Sequence, residues 1–231
     1  MSAFAKEAPV ARLSFTTPSS IDGPIARQFQ RIYASSFRLQ ERVPFGAIEA
    51  ALASCKSTLV LAKLESSVLG FALITPLRST PAVFLDYLAV RNDIRGQGIG
   101  TKLLRATLRE AHLYPGACGL LLEVRPLVRH RENMPSQNMR RLLFYERNGA
   151  VQLPDATPYA MPSLAGPGAV PMLLMWLPFD QQDNPSPPVP PRRYITSIYK
   201  EVYGRSRRDP LLARILARLP APCDSRERNA P

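Results

Sequence analysis

The sequence predicts an α/β (α+β) domain on a mixed, mostly antiparallel sheet with a central parallel strand pair, followed by a proline-rich linker and a helical tail. Three observations carry this reading. The β-rich runs "STLVLAKLE", "SVLGFALITP" and "PAVFLDYLAV" succeed one another, the first two so closely that an antiparallel hairpin is the natural joint. The third run leads through a glycine-rich loop and an amphipathic stretch into "GLLLEV", and a right-handed crossover of that kind makes strands 82–90 and 118–124 parallel. Beyond Phe179 the composition changes to "DQQDNPSPPVPPRR", an extended, semi-rigid connection.

The elements follow in order. Leu13 opens a short strand, "LSF", ahead of the turn-rich "TTPSSIDGP". Ile25, Phe29, Ile32, Tyr33 and Phe37 then fall at i, i+4, i+7, i+8 and i+12, one apolar helical face, and "GAIEAALASC" fits a second, shorter helix. After the meander, "GTKLLRATLREAHL" sets Gly100, Leu103, Leu104, Thr107, Leu108 and Ala111 on one face and Lys102, Arg105, Arg109 and Glu110 on the other. "GLLLEV" is apolar on both faces, as a buried central strand requires. A basic loop at 125–136 precedes the helix "QNMRRLLFYERNG", closed by Asn148-Gly149. The run "AVPMLLMWLP" at 169–178 reads as the last strand.

These elements assign residues 1–180 to one domain, 181–193 to the linker and 194–231 to a basic amphipathic tail. In the tail, Ile195, Ile198, Tyr199 and Val202 form one apolar stripe, and Leu211, Leu212, Ile215, Leu216 and Leu219 form another. Such stripes need a surface: this chain's own domain, a second copy in a homodimer, or a membrane or protein partner.

Composition narrows the function. A chain of 231 residues, 45% of them hydrophobic, can bury one sizeable core. Cys55, Cys118 and Cys223 are scattered and make neither a disulfide framework nor a CxxC clip, and His112 and His130 lack helical i, i+4 spacing, so no metal is expected. No signal-peptide pattern opens the chain and no stretch approaches the roughly 20 apolar residues of a membrane span, which predicts a soluble cytoplasmic protein. A net charge of +12 invites an anionic partner. Nothing beyond charge points to nucleic acid.

The anionic partner is read from "RNDIRGQGIGTKLL". The loop fails as a Walker A motif, because Thr101 precedes Lys102 and no Ser or Thr follows it, and it fails as a dinucleotide fingerprint, which needs glycine at 101 or 103. The pattern that fits is [Q/R]-x-x-G-x-[G/A], here Arg95, Gly98 and Gly100, after a strand ending "LAV" and at the opening of a helix. With "VFLDYLAVRNDIRGQGIGTKLL" around it and "FYERNGA" at 144–150, the chain resembles the GNAT N-acetyltransferase superfamily from residue 12 to 178.

The resemblance implies acetyl-CoA as co-substrate, its pyrophosphate on the backbone amides of Arg95, Gly96, Gln97, Gly98, Ile99, Gly100 and Thr101, where glycines admit close approach and the helix N-terminus adds about half a positive charge. It also implies that the central parallel pair splays and takes the pantetheine arm as a pseudo-strand, on backbone groups of Leu88, Ala89 and Val90, with Asn138 touching that arm. Tyr145 matches the family tyrosine that protonates the departing thiolate; a packed aromatic is its other reading.

For a base the sequence offers Asp86 and Glu123, each an acid inside an apolar strand, a costly placement unless the carboxylate reaches water, a partner or a substrate. Adjacent strands would bring both near the splay, and Asp86, two residues before Leu88, is expected on the same strand face. A desolvated carboxylate has a raised pKa and relays a proton from an amine through water. Pairing with arginines such as Arg125 or Arg141 is the alternative. The activity implied is acetyl transfer to a primary amine of a small molecule or protein. Paired acids favour a cationic acceptor, while the basic loop favours acidic groups or the CoA 3′-phosphate. A noncatalytic module that binds acyl-CoA or nucleic acid is the competing reading.

Overall fold

The computed structural model describes residues 12–127, 137–153, 156, 159–180 and 186–220. His130, Cys223, most of the basic loop and part of the linker lie outside them.

Among the described residues seven strands form one sheet: β1 (Leu13–Thr16), β2 (Thr58–Leu64), β3 (Ser67–Leu77), β4 (Ala82–Val90), β5 (Gly119–Val124), β6 (Val151–Gln152) and β9 (Leu173–Pro178). Their order is β1-β2-β3-β4-β5-β9-β6, and β4–β5 is its parallel pair, the other neighbours being antiparallel. The run 169–178 is not one strand. β8 (Ala169–Pro171) pairs with β7 (Ala160–Pro162) in a separate two-stranded sheet, and β9 begins after Met172. Pro171 has no N–H for a ladder, and Met172 turns its own to the carbonyl of Tyr159 at 3.1 Å. At two and three residues, β6 and β7 are too short for any periodicity to announce them.

Side-chain alternation separates the two faces of the sheet. Along β3, Ala72 and Ile74 face a core shared with α3 (Ile99–His112) and α4 (Gln137–Arg147), where Leu103, Leu104 and Tyr145 pack on Leu122 and Met175. Phe71 and Leu73 face the opposite way, toward α1 (Gly23–Ser36) and α2 (Phe45–Ala53), whose Phe29, Ile32 and Ile48 are buried there. Farther along that second face, Leu77 joins Phe84, Leu121 and Trp176 in a third core. Close approach permits this last cluster: a Cβ on Gly119 would stand 2.4 Å from the Trp176 ring.

The chain after the linker covers this third core. α5 (Pro191–Ser197) runs into a π-helical turn, Ile198–Val202, and α6 (Pro210–Arg218) follows. Tyr194, Ile195, Ile198 and Tyr199 are fully buried against the cluster of Trp176, with Leu212 and Ile215 beside them. Both apolar stripes of the tail therefore lie on this chain's own sheet. Asp209 caps α6 by accepting from the N–H groups of Leu211 and Leu212, and Pro210 fills the first helical position, where no N–H is needed. Glu201 accepts from the N–H groups of Arg78 and Ser79, which fastens the tail to the β3–β4 turn.

Candidate active site

β4 and β5 are paired at Val83↔Leu120, Phe84↔Leu121 and Leu85↔Leu122, and there the pairing ends. Beyond that point β4 continues to Val90 along β3 while its other edge is free of β5. Arg91 donates its N–H to Leu69 at 2.9 Å, so alternation turns the backbone groups of Val90 and Leu88 to the opposite edge, into the gap. Arg95 reaches back across it, Nε donating to the Val90 carbonyl at 3.1 Å.

One strand-face expectation is corrected. The register of β4 on β3 passes from Leu73↔Tyr87 to Ile74↔Leu85, leaving Asp86 as an extra, bulged residue. Leu88 consequently packs toward α3 and α4, while Asp86 and Tyr87 border a cavity on the other face of the sheet.

That cavity, about 220 Å³, opens between the cover made by α1 and α2 and the cover made by the tail. Asp86 and Glu123 both line it. Asp86 Oδ2 accepts from Thr75 Oγ1 at 2.8 Å, and the Thr75 hydroxyl lies 2.8 Å from that of Ser57. Glu123 is held by two phenols, Tyr159 and Tyr203; the Tyr203 hydroxyl stands 2.7 and 2.6 Å from its two carboxylate oxygens. Neither acid has an ion-pair partner among the described residues. Arg125 instead pairs with Glu41, and Arg141 donates to the Ser36 carbonyl and lies over the Phe37 ring. Desolvation pushes both acids up to about 7, and for Asp86 the neighbouring Glu123 adds to the rise.

The loop after β4 leads into α3 through Gly98, whose φ of +75° makes a left-handed N-cap, with Gly96 also at positive φ. Arg95, Gly96, Gln97 and Gly98 are exposed; Ile99, Gly100 and Thr101 are half-buried at the first turn of α3. Gly100 does something different from its neighbours. A Cβ there would meet the Phe144 ring at 3.3 Å, so this glycine lets α4 close on α3. Burial lowers the pKa of Arg95, with the charges of Arg141 and Arg140 acting in the same direction, so three guanidinium groups gather beside the loop.

Tyr145 lies on the α3 side of the sheet, 5% exposed, its ring edge-on to Phe144. Burial pushes its phenol up to about 12, so it carries its proton at neutral pH. Asn138, in the first turn of α4, donates to the Pro126 carbonyl at 3.4 Å. Thr75, Glu41, Tyr159 and Tyr203 are site residues that sequence reading missed. A lone hydroxyl in the apolar run "GFALITPL" was a usable signal for Thr75. The two tyrosines gave none, because chain folding alone brings them to Glu123.

The acetyltransferase (GNAT) domain family matches residues 55–149, which hold the free edge of β4, the glycine loop and Tyr145. Over residues 55–149 the chain matches a GNAT acetyltransferase domain. Solved structures extend the likeness to the fold outside that span. An aminoglycoside 6′-N-acetyltransferase complexed with coenzyme A is 16% identical with a TM-score of 0.56, covering 74% of this chain and 99% of its own. The ribosomal-protein-S18-alanine N-acetyltransferase of Escherichia coli is 18% identical, TM-score 0.51, over 75% of this chain and 97% of its own. A GNAT-family protein of Bacteroides thetaiotaomicron reaches TM-score 0.57 at 18% identity, over 78% and 92%. No curated protein matches the sequence. No helix among the described residues is long and apolar enough to cross a membrane, and no group of three His, Cys, Asp or Glu among them is placed to hold a metal.

Proposed function

We propose that the chain transfers the acetyl group of acetyl-CoA to a primary amine that enters through the cavity beside Asp86 and Glu123. One observation carries the reading: the parallel pairing stops one residue before both acids, so the free backbone edge of β4 and two desolvated carboxyls meet at one fork. The residues present suit acetyl-CoA. The backbone amides from Arg95 to Thr101 open a helix with exposed glycines, the setting an anionic pyrophosphate needs, and the Leu88 and Val90 backbone groups face the gap where a pantetheine arm would pair. Asn138 and Ala89 border this path in the reading.

Acetyl-CoA supplies the activated acyl carbon and a thiolate leaving group. Asp86 takes a proton from the incoming ammonium, directly or through water, which frees the nitrogen lone pair. The nitrogen forms its bond to the acyl carbon as the carbon–sulfur bond breaks, the gap-facing amides stabilise the oxygen, Tyr145 gives its proton to the sulfur, and the second proton shed by the nitrogen returns through water to the phenol. The acid and the base sit on opposite faces of the sheet, so neither competes for the other's proton. Glu123 supplies negative charge beside the amine, or takes the proton in place of Asp86. The test is acetyl-CoA-dependent release of CoA thiol over a panel of primary amines. Amine-dependent release supports the reading, and acetyl-CoA binding with no turnover of any amine overturns it in favour of a binding module.

A further inference from the structure

The two acids are not equivalent. Among the described residues Asp86 receives one side-chain hydrogen bond, from Thr75, whereas Glu123 receives phenol bonds from Tyr159, on the approach to β7, and Tyr203, at the end of the π-helical turn. A carboxylate with both oxygens facing one phenol and a second phenol on Oε1 is fixed in orientation, with two of its roughly four acceptor sites taken and the rest left for an ammonium. It offers charge rather than a mobile base. π-Helical turns gather at functional positions, and this one delivers Val202 and Tyr203 to the cavity wall. Both residues lie outside the span 55–149.

Much of the remaining wall is apolar, and the cations that also line it, Lys56 and Arg141, repel a further positive charge. Phe37, Ile48, Leu73, Met161, Met172 and Val202 line it, and a second ammonium seated among them would be stranded. Glu41, the third acid at the cavity, is already neutralised by Arg125. The volume, about 220 Å³, falls below the range usual for drug-sized ligands.

Resting on the acetyltransferase reading, we infer that Tyr203 is a positioning residue which, with Tyr159, fixes Glu123 as the anionic anchor for the ammonium of a compact monoamine with an apolar body, leaving Asp86 to take the proton. The tail thereby sets acceptor specificity.

The experiment uses the full chain with 2-phenylethylamine, isoamylamine, spermidine, an aminoglycoside and a peptide with a free N-terminal alanine. The apolar monoamines are expected to exceed spermidine, the aminoglycoside and the peptide by at least ~10-fold in kcat/KM. Tyr203→Phe is expected to raise KM for 2-phenylethylamine by roughly 10-fold while kcat and KM for acetyl-CoA stay within about 3-fold. It is also expected to move the pH dependence of the amine KM upward, because Glu123 loses a donor that holds its pKa down. Tyr159→Phe, the second variant, is expected to act in the same direction. Preference for spermidine, the aminoglycoside or the peptide overturns the inference while leaving the acetyltransferase reading intact, as does an unchanged amine KM and pH dependence in folded variants. If no amine is acetylated, the acetyltransferase reading fails, and calorimetry still decides the pocket: 2-phenylethylamine binding that weakens in Tyr203→Phe supports the anchor, and absent binding removes it.

Discussion

Asp86 and Glu123 stand where the next parallel pair of β4 and β5 would fall, one step beyond Leu85 and Leu122, and both side chains border the same cavity. Their burial raises both to about 7, so kcat is expected to rise with pH through that region as the base ionises. Asp86→Asn should lower kcat by about 10²–10⁴-fold and abolish the rise, while Glu123→Gln keeps the rise and weakens amine binding. An Asp86→Asn enzyme with the wild-type profile would remove Asp86 as the base.

The same shift predicts a stability effect of known sign. The folded pKa of Asp86 lies above its unfolded value, so its contribution favours the fold at pH below about 4 and is lost as pH rises through about 7. Asp86→Asn should therefore stabilise the protein at pH 8 by roughly 1–3 kcal/mol and do little at pH 4. Urea unfolding at the two pH values measures the difference, and equal effects would show that Asp86 is solvated.

Tyr145→Phe should cut kcat by roughly 10- to 1000-fold with KM for acetyl-CoA nearly unchanged, since in the proposed reaction the phenol acts on the departing sulfur and not on binding. A fully active variant would reduce Tyr145 to its packing beside Phe144.

Gly98 separates binding from folding. A Cβ there meets nothing within 4 Å, so Gly98→Val costs only the strain of φ +75°, roughly 1–2 kcal/mol. Acetyl-CoA affinity should nevertheless fall by about 10-fold or more, because the side chain projects where the pyrophosphate would approach. Calorimetry on the folded variant decides it, and unchanged affinity would move the phosphate elsewhere.

Truncation after residue 183 bares the cluster around Trp176 and removes Tyr194, Ile195, Ile198 and Tyr199, which are fully buried. The fragment should lose cooperative thermal unfolding or precipitate, since burying each such side chain is worth about 1.5–3 kcal/mol. A soluble fragment with the full-length melting temperature and acetyl-CoA affinity would show a separable tail.

Much of the fold was legible because its signals are local. Continuous β-rich apolar runs announced β2, β3 and β4, the 3.6-residue periods of α1 and α3 were clean, and the strand, helix, strand order implied the parallel pair. Asp86 and Glu123 were nameable because charge inside an apolar run stands out. The face of Asp86 was not legible, since a bulge depends on the partner strand and leaves no mark in the bulged residue itself. Tyr203 was hidden for a related reason: its partner Glu123 is 80 residues away, and the tail's stripes say only that something is covered.

The hold of Glu201 on Arg78 spans 123 residues and that of Tyr203 on Glu123 spans 80. During synthesis the meander, the glycine loop and both acids therefore leave the ribosome well before the segment that walls them in. A nascent chain that has reached β9 can already pair its whole sheet, yet the face bearing Trp176 stays bare until the π-helical turn arrives. The cavity wall is in this sense completed late, and a chain released before Tyr203 carries an open fork with Glu123 held by Tyr159 alone.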